Sequence, residues 1–456
     1  MSSYSRSSRS VLAAVSLVVS LVVLLLAAAS ARAAIVPGCT LIHGVGDVEI
    51  QLLPAPVVGS NLTAAEAELM RREHVHISSS VAGQLGIQSV PAGVDFPGPQ
   101  LRVILEEPDN VAGSRSFATF TVTGIFYDNA DRIRIYQRVD ANDTDAGAAK
   151  LFAGHSIDPE DLPVDADGWL TTVQARVLLT PVSKTTITGL SPGTTQYYCE
   201  PNDNSEVVEL AHVASDARLL LLAPHGGGIE TKTSEQVTTV SSRLTALGVT
   251  PSSWDLRSTW GGASGQAHSR FHVKSTAIDP ISFPALRTLL ARPDHANNVP
   301  FRYVLALHGM NGTTKSIVVG GQADRQAKCL VAKRVRDELQ ASRGNRNEIG
   351  FRIVDIEGDL TVGNAADVPA GTGLGGLDGF NLTNRFSLNP ASEPGWGGIQ
   401  LEQSKALRDD ATNPLGLSPA SNGYLRNVVA RGVAAALNEL VAMPNGSGPT
   451  SACSTM

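Results

Sequence analysis

The stretch Leu219-Leu220-Leu221-Leu222-Ala223-Pro224-His225-Gly226-Gly227-Gly228-Ile229-Glu230 decides the fold of this chain. Five successive apolar residues predict a strand buried on both faces, the habit of strands inside α/β layered domains. A helix is expected directly afterwards, from about Ser234, with Thr233 as its cap and Gln236 completing a capping box. Val237, Val240, Leu244 and Leu247 recur at helical spacing and give that helix one apolar face, and Gly248 ends it. A strand followed at once by a helix is the repeating unit of α/β architecture.

Further along, the same alternation returns. Residues 303–307 read as a second buried strand, and a helix over 324–342 stops at Gly344. Residues 351–356 and 399–401 read as further strands, and 424–441 as a last amphipathic helix. Towards the N-terminus the pattern changes. Over 116–125, 132–139 and 171–180, short alternating or β-branched runs are separated by Pro, Gly, Asp and Asn, as in an all-β sandwich or barrel. The chain therefore divides into an export segment (1–34), a β-rich, sandwich-like accessory domain (35–216), an α/β domain (217–443) and a loose Gly/Ser/Pro-rich tail (444–456).

Length and composition agree with this division. The chain has 456 residues, more than one compact core usually absorbs. It is 42% hydrophobic and 17% charged, with a formal net charge of −7. No basic surface broad enough to neutralise a phosphate backbone is expected, which argues against nucleic acid as a partner. Arg6 and Arg9, the apolar run over 11–29 and the small residues at Ala29-Ser30-Ala31 read as a secretory signal. The protein is thus expected to be secreted, without a stable membrane partner; an uncleaved anchor is the competing reading. Export makes disulfides possible among Cys39, Cys199, Cys329 and Cys453, and the sequence does not choose among the three pairings.

The chemistry is concentrated at strand ends. In open α/β sheets ligands bind beyond the carboxyl ends of strands, which is where His225 falls. Three glycines let the chain turn back sharply, so that an imidazole and the carboxylate of Glu230 come together as two good ligands for zinc. A phosphate loop would instead call for Lys-Ser/Thr at this point, where Glu230 would repel the anion. Val304-Leu305-Ala306-Leu307-His308-Gly309 repeats the design, and neighbouring parallel strands would bring His308 beside His225. Glu402 closes the apolar segment Gly398-Ile399-Gln400-Leu401. It could take a proton from an activated water, although a solvated glutamate at a strand end is the plainer reading. Arg385 could clamp a substrate carboxylate, and His272 and Lys274 could line the same cleft; a surface arginine and a half-exposed strand are the ordinary alternatives.

In combination, HGGGIE at 225–230, FHVKST at 271–276, LHG at 307–309, GG at 320–321, NLTNR at 381–385 and GIQLEQS at 398–404 resemble the poly-γ-glutamate hydrolases. The resemblance covers about 218–441. It implies a fold similar to the zinc carboxypeptidases: a mixed sheet flanked by helices. It also implies a Zn2+ ion held by His225, Glu230 and His308, Glu402 as the catalytic base, and Arg385 at the substrate carboxylate, with Asn384 and His272 as further substrate contacts. The expected activity is hydrolysis of γ-glutamyl or similar carboxylate-bearing amides, in a polymer or in a small acyl-amino acid. A zinc carboxypeptidase or an N-acyl-amino-acid deacylase is the near alternative, and a degenerate polymer-binding surface protein the distant one. Two departures bear on the substrate. Thr276-Ala277-Ile278-Asp279-Pro280 stands where the family pattern leads one to expect a second histidine, and the segment from Arg385 to Gly398 is long and holds Trp396.

Overall fold

The computed structural model describes residues 44–456 except 60–61, 91–97, 107–116, 139–145, 153–158, 180–183, 189–196, 200–206, 215–217, 259–265, 281, 291–300, 365–367, 369–374, 380, 388–396, 410–423 and 445–446. The expected export segment, Cys39 and Trp396 lie outside the described residues. Among the described residues no helix is long and apolar enough to cross a membrane.

The N-terminal β-rich region contains strands β1 (Gly44–Leu53), β2 (His74–Ser78), β3 (Gln100–Glu106), β4 (Phe117–Phe126), β5 (Arg132–Tyr136) and β6 (Trp169–Leu178). They close into a barrel in the order β1-β5-β2-β4-β3-β6. Alternate residues point inward: Val48 and Ile50, Val75 and Ile77, Leu101 and Val103, Ile133 and Ile135, and Ala175 and Val177 form one buried cluster. The expectation of a sandwich-like domain is corrected here. Period-two alternation says that each strand has one buried face; it does not say whether those faces line two sheets or one closed sheet. The helix Ala64–Glu73, opened by a capping box between Thr63 and Glu66, runs straight into β2 and so fixes Glu73 at the barrel's surface.

The second sheet has ten strands. These are β7 (Lys184–Thr188), β8 (Tyr197–Cys199), β9 (Val207–His212), β10 (Leu219–Gly227), β11 (Ser252–Ser258), β12 (Tyr303–Met310), β13 (Ser316–Gly320), β14 (Gly350–Ile353), β15 (Leu360–Val362) and β16 (Gly397–Ser404). Their order is β15-β14-β13-β16-β12-β10-β11-β9-β7-β8. The four central strands β16, β12, β10 and β11 are mutually parallel, and antiparallel strands β13 and β9 flank them, so the sheet is mixed. Because β7, β8 and β9 pair into this sheet, the division expected at 216/217 does not coincide with the boundary between the two sheets. Sheet membership is a long-range pairing that local alternation does not reveal.

Helices cover both faces of the large sheet. Leu219, Leu221, Ala223, Tyr303, Leu305, Leu307, Ile399 and Leu401 pack on one side against helices Thr233–Ala246, Arg325–Arg343 and Leu425–Ala442. Leu220, Leu222, Val304 and Ala306 face the other side, against helix Pro284–Leu290 and Leu382. The helix Arg325–Arg343 has Asp324 as its cap, accepting from Gln326 N, and ends at Gly344 with φ 71°. Its Cys329 is disulfide-bonded to Cys453, which ties the chain's last residues to the sheet. Two local expectations are revised. Thr233 is the first residue of its helix rather than the cap, and its hydroxyl donates to the carbonyls of Glu230 and His225. The strand expected over 351–356 is β14, ending at Ile353, and Ile356 is exposed.

Candidate metal centre

Strands β10, β12 and β16 are adjacent and parallel, and their carboxyl ends carry His225, His308 and Glu402. His308 stands directly opposite Glu402 across the β12–β16 pair. Even-numbered residues of these two strands face the side of the sheet away from the long helices, as Val304 and Ala306 do, and His308 and Glu402 follow that parity. His225 is odd-numbered and by strict alternation would face the opposite way. Between Ala223 and Gly226 the pairing of β10 with β11 gains one residue on β10. That bulge reverses the alternation and turns His225 towards His308.

The glycines make the next turn feasible. Gly227 has φ 66°, and a Cβ there would lie 2.2 Å from Ser258 O; a Cβ on Gly226 would lie 2.0 Å from Ser234 Oγ. Only glycine lets the chain pass this close to β11 and fold back to present Glu230. Glu230 N donates to His225 O at 2.8 Å, and Gly309 N donates to Glu230 Oε2 at 2.8 Å. One short loop and the end of β12 thereby hold the carboxylate.

The result is a compact donor set. His225 Nδ1 lies 3.0 Å from Glu230 Oε1, and His308 Nδ1 lies 3.2 Å from His225 Nδ1 and 3.6 Å from Glu230 Oε2. The ligand atoms of the three residues all fall within 4.8 Å of one another, and none of the three residues is more than 7% exposed. His225 Nε2 is 2.8 Å from the carbonyl of Val273. A carbonyl only accepts, so Nε2 carries the hydrogen and Nδ1 turns its lone pair inward. Inward-facing lone pairs and a buried carboxylate repel one another unless a cation lies between them. Two imidazoles and one carboxylate with a free side therefore fit a divalent metal of the zinc class.

Without an ion, a proton on His225 takes the cation's part. Burial works against ionising Glu230, yet the neighbouring His225 and the hydrogen bonds it receives hold its carboxyl well below the usual range. Burial pushes the His225 imidazole down, and the charge of Glu230 outweighs this and raises it. Burial pushes Glu402 up, a shift that the charge of Glu230 reinforces. Glu402 is held from behind: Gln400 Nε2 donates to its Oε1 at 2.7 Å, and Asn381 Nδ2 donates to Gln400 Oε1 at 2.8 Å. A buried relay of this kind fixes the rotamer of the carboxylate.

His225, Glu230, His308 and Glu402 lie on the wall of a cavity of about 540 Å³. Lys274, His272, Asn311 and Asn381 also line it. Arg385 and Asn384 are not among its lining residues. Arg385 donates to Ile278 O and stacks over Phe386, and burial lowers its guanidinium to about 10. Asn384 holds the loop beneath the cavity, donating to Gly376 O and Asp378 O and accepting from Gln322 N. The segment after Phe271 is not the half-exposed strand that the alternation of His272 and Lys274 suggested. It is the end of the helix Gln266–Phe271 followed by a turn.

Sequence reasoning missed what fixes that turn. Glu73, on the barrel, lies 3.2 Å from His272 Nδ1 and accepts from Lys274 N at 3.2 Å. Gln100, also on the barrel, donates to Ala277 O and Ser282 Oγ and accepts from Asp279 N. One lip of the cavity thus rests on the barrel. Contacts across nearly two hundred residues leave no periodic signal in the sequence.

Comparison with known proteins adds a family. No curated protein matches the chain. The solved structure of a bacteriophage poly-gamma-glutamate hydrolase is 17% identical, covering 53% of this chain and 92% of that one, at a TM-score of 0.33. A metallo-carboxypeptidase from Burkholderia cenocepacia is 11% identical over 76% of this chain and 80% of its own, at 0.27. One from Pseudomonas aeruginosa is 12% identical over 76% and 82%, at 0.26. Superpositions that loose carry no argument about function. The family match is more direct: residues 200–350, which contain His225, Glu230 and His308, match the poly-gamma-glutamate hydrolase family.

Proposed function

We propose that this protein is an exported, zinc-dependent hydrolase of amide bonds, acting on γ-glutamyl or similar carboxylate-bearing substrates. The observation that carries the reading is the convergence of two Nδ1 atoms and a buried carboxylate on the wall of an open cavity, with a second carboxylate one strand away. A zinc ion held by His225, Glu230 and His308 would supply Lewis-acid polarisation of the scissile carbonyl and a more acidic water.

The remaining work falls to the chain's own residues. Glu402 Oε1 is occupied by Gln400, which leaves Oε2 to take the proton of the attacking water and pass it to the leaving nitrogen. Burial raises the proton affinity of Glu402, which suits a base that must later act as an acid. Lys274 on the cavity wall is the cation best placed to receive a substrate carboxylate, a role the sequence had suggested for Arg385. The family name supports a polymeric γ-glutamyl substrate. A carboxypeptidase or an acyl-amino-acid deacylase would use the same centre on a different amide, and parallel assays on poly-γ-glutamate and short acyl-glutamates separate the three. A degenerate binding protein would be expected to have lost at least one of the four residues.

Glu402→Gln should keep its zinc and lose roughly 10²–10⁴ in kcat. Metal content and turnover are measured on the same preparation. Turnover within tenfold of the wild type, at full metal occupancy, would remove Glu402 as the base.

A further inference from the structure

The centre does not use every imidazole around it. His272 N donates to His268 O at 3.0 Å, continuing the turn that ends the helix Gln266–Phe271, so the two residues sit four apart on one helical face. Their rings stack with centroids 4.5 Å apart and 25° between planes. The His272 ring in turn lies 4.2 Å from that of His225. One ligand atom each from Glu230, His268 and His272 all fall within 4.8 Å of one another. Two histidines at i and i+4 with a carboxylate opposite are a metal-binding arrangement in their own right.

The support behind His272 is the second observation. Glu73 Oε1 lies 3.2 Å from His272 Nδ1. A carboxylate accepts, so Nδ1 carries the hydrogen and Nε2 keeps a lone pair to offer. A carboxylate holding the far nitrogen of an imidazole is the usual backing of a metal-ligating histidine. Glu73 itself is buried and ends the helix that leads into β2, so this backing reaches the cavity lip from the barrel side.

We propose that His268, His272 and Glu230 form a second divalent-cation site, sharing the Glu230 carboxylate with the His225–His308 centre. A carboxylate has two oxygens and about four lone-pair sites, enough to serve two ions. Imidazole nitrogens with one carboxylate select a zinc-class ion over magnesium or calcium. His268 is exposed, whereas the three residues of the first centre are buried. The second ion therefore exchanges with solvent more readily and binds more weakly. The proposal rests on the metal reading of the first centre only through the shared Glu230.

The test is titration of the metal-free full chain with Zn2+ by calorimetry, repeated with Co2+ to follow ligand-field absorption. Wild-type protein should bind two equivalents, one tight and one weak. His268→Ala and His272→Ala should each abolish the weak event and keep the tight one, and Glu73→Gln should weaken the second event about tenfold. His308→Ala should remove the tight event. A single equivalent in the wild type, lost in His308→Ala, would overturn the second site and leave the proposed centre standing. A second equivalent that persists in both His268→Ala and His272→Ala would also overturn it. If no metal binds at all, both readings fall. Because His268 is exposed, its variant folds, and an unchanged thermal midpoint checks this.

Discussion

Breaking the disulfide between Cys329 and Cys453 tests how the large sheet is held together. The bridge joins the middle of the helix Arg325–Arg343 to the last turn of the chain across 124 residues of sequence. Within that loop lie β14, β15, β16 and the helix Leu425–Ala442, so the cross-link encloses the strand that carries Glu402. In the chain-entropy account, closing a loop of this length removes about 5 kcal/mol of freedom from the unfolded state; native strain and residual unfolded structure usually reduce this to about 3–4. With a urea dependence of about 3 kcal/mol per molar, the midpoint should fall by roughly 1–1.5 M on reduction. The assay is urea unfolding of the wild type with and without dithiothreitol, beside Cys329→Ala/Cys453→Ala. Without reductant, the double variant should unfold roughly 1–1.5 M below the oxidised wild type. Coincident midpoints for oxidised and reduced wild type would refute the reasoning. So would a double variant as stable as the oxidised protein.

Two further outcomes follow from the geometry. Gly227→Ala should cost about 2–5 kcal/mol, because alanine is strained at φ 66° and its Cβ would meet Ser258 O at 2.2 Å. It should also weaken the proposed zinc binding at least tenfold by displacing Glu230, whereas Gly248→Ala, at φ 84° but in open space, should leave it unchanged. A zinc titration of Gly227→Ala that matches the wild type would refute the role of the turn. The other concerns acid stability. Burial opposes the charge on Glu73, but the hydrogen bond and charge of His272, then Lys150, bring its carboxyl down to about 2 from 4.5. A lowered carboxylate contributes its full stabilisation above pH 4.5 and loses it as the pH falls towards 2, here about 3 kcal/mol. Urea midpoints of Glu73→Gln should therefore fall less steeply than those of the wild type between pH 5 and pH 2. Parallel curves would show that Glu73 carries no such term.

The core of the fold was legible because its strands are buried on both faces. Runs such as Leu219 to Ala223 and Tyr303 to Leu307 have no other stable place, and a histidine directly after such a run stands at the sheet's carboxyl edge. That His225 and His308 stand at neighbouring strand ends was legible for the same reason, whereas the bulge on β10 that turns His225 towards His308 was not. The closure of the barrel, the addition of β7–β9 to the large sheet and the support of the cavity lip by Glu73 and Gln100 were hidden. Each depends on which distant segments meet, and local periodicity records only that a segment has an inside and an outside. The surroundings of Arg385 were hidden for a related reason. An arginine in a motif shows its charge in the sequence, but not that its guanidinium already donates to the carbonyl of Ile278.

The place of β9 has a practical consequence for anyone shortening this protein. A version beginning at residue 217, where the sequence suggests a clean cut, would discard β7, β8 and β9 and strip one long side of β11 of its antiparallel partner. Trp254 on β11 would lose the buried Glu209 carboxylate that its indole N–H meets at 2.8 Å, and an apolar ribbon with open peptide groups would face solvent. Such a ribbon recruits other chains. The shortened protein would be expected to precipitate in the flask with the residues of the candidate centre all present.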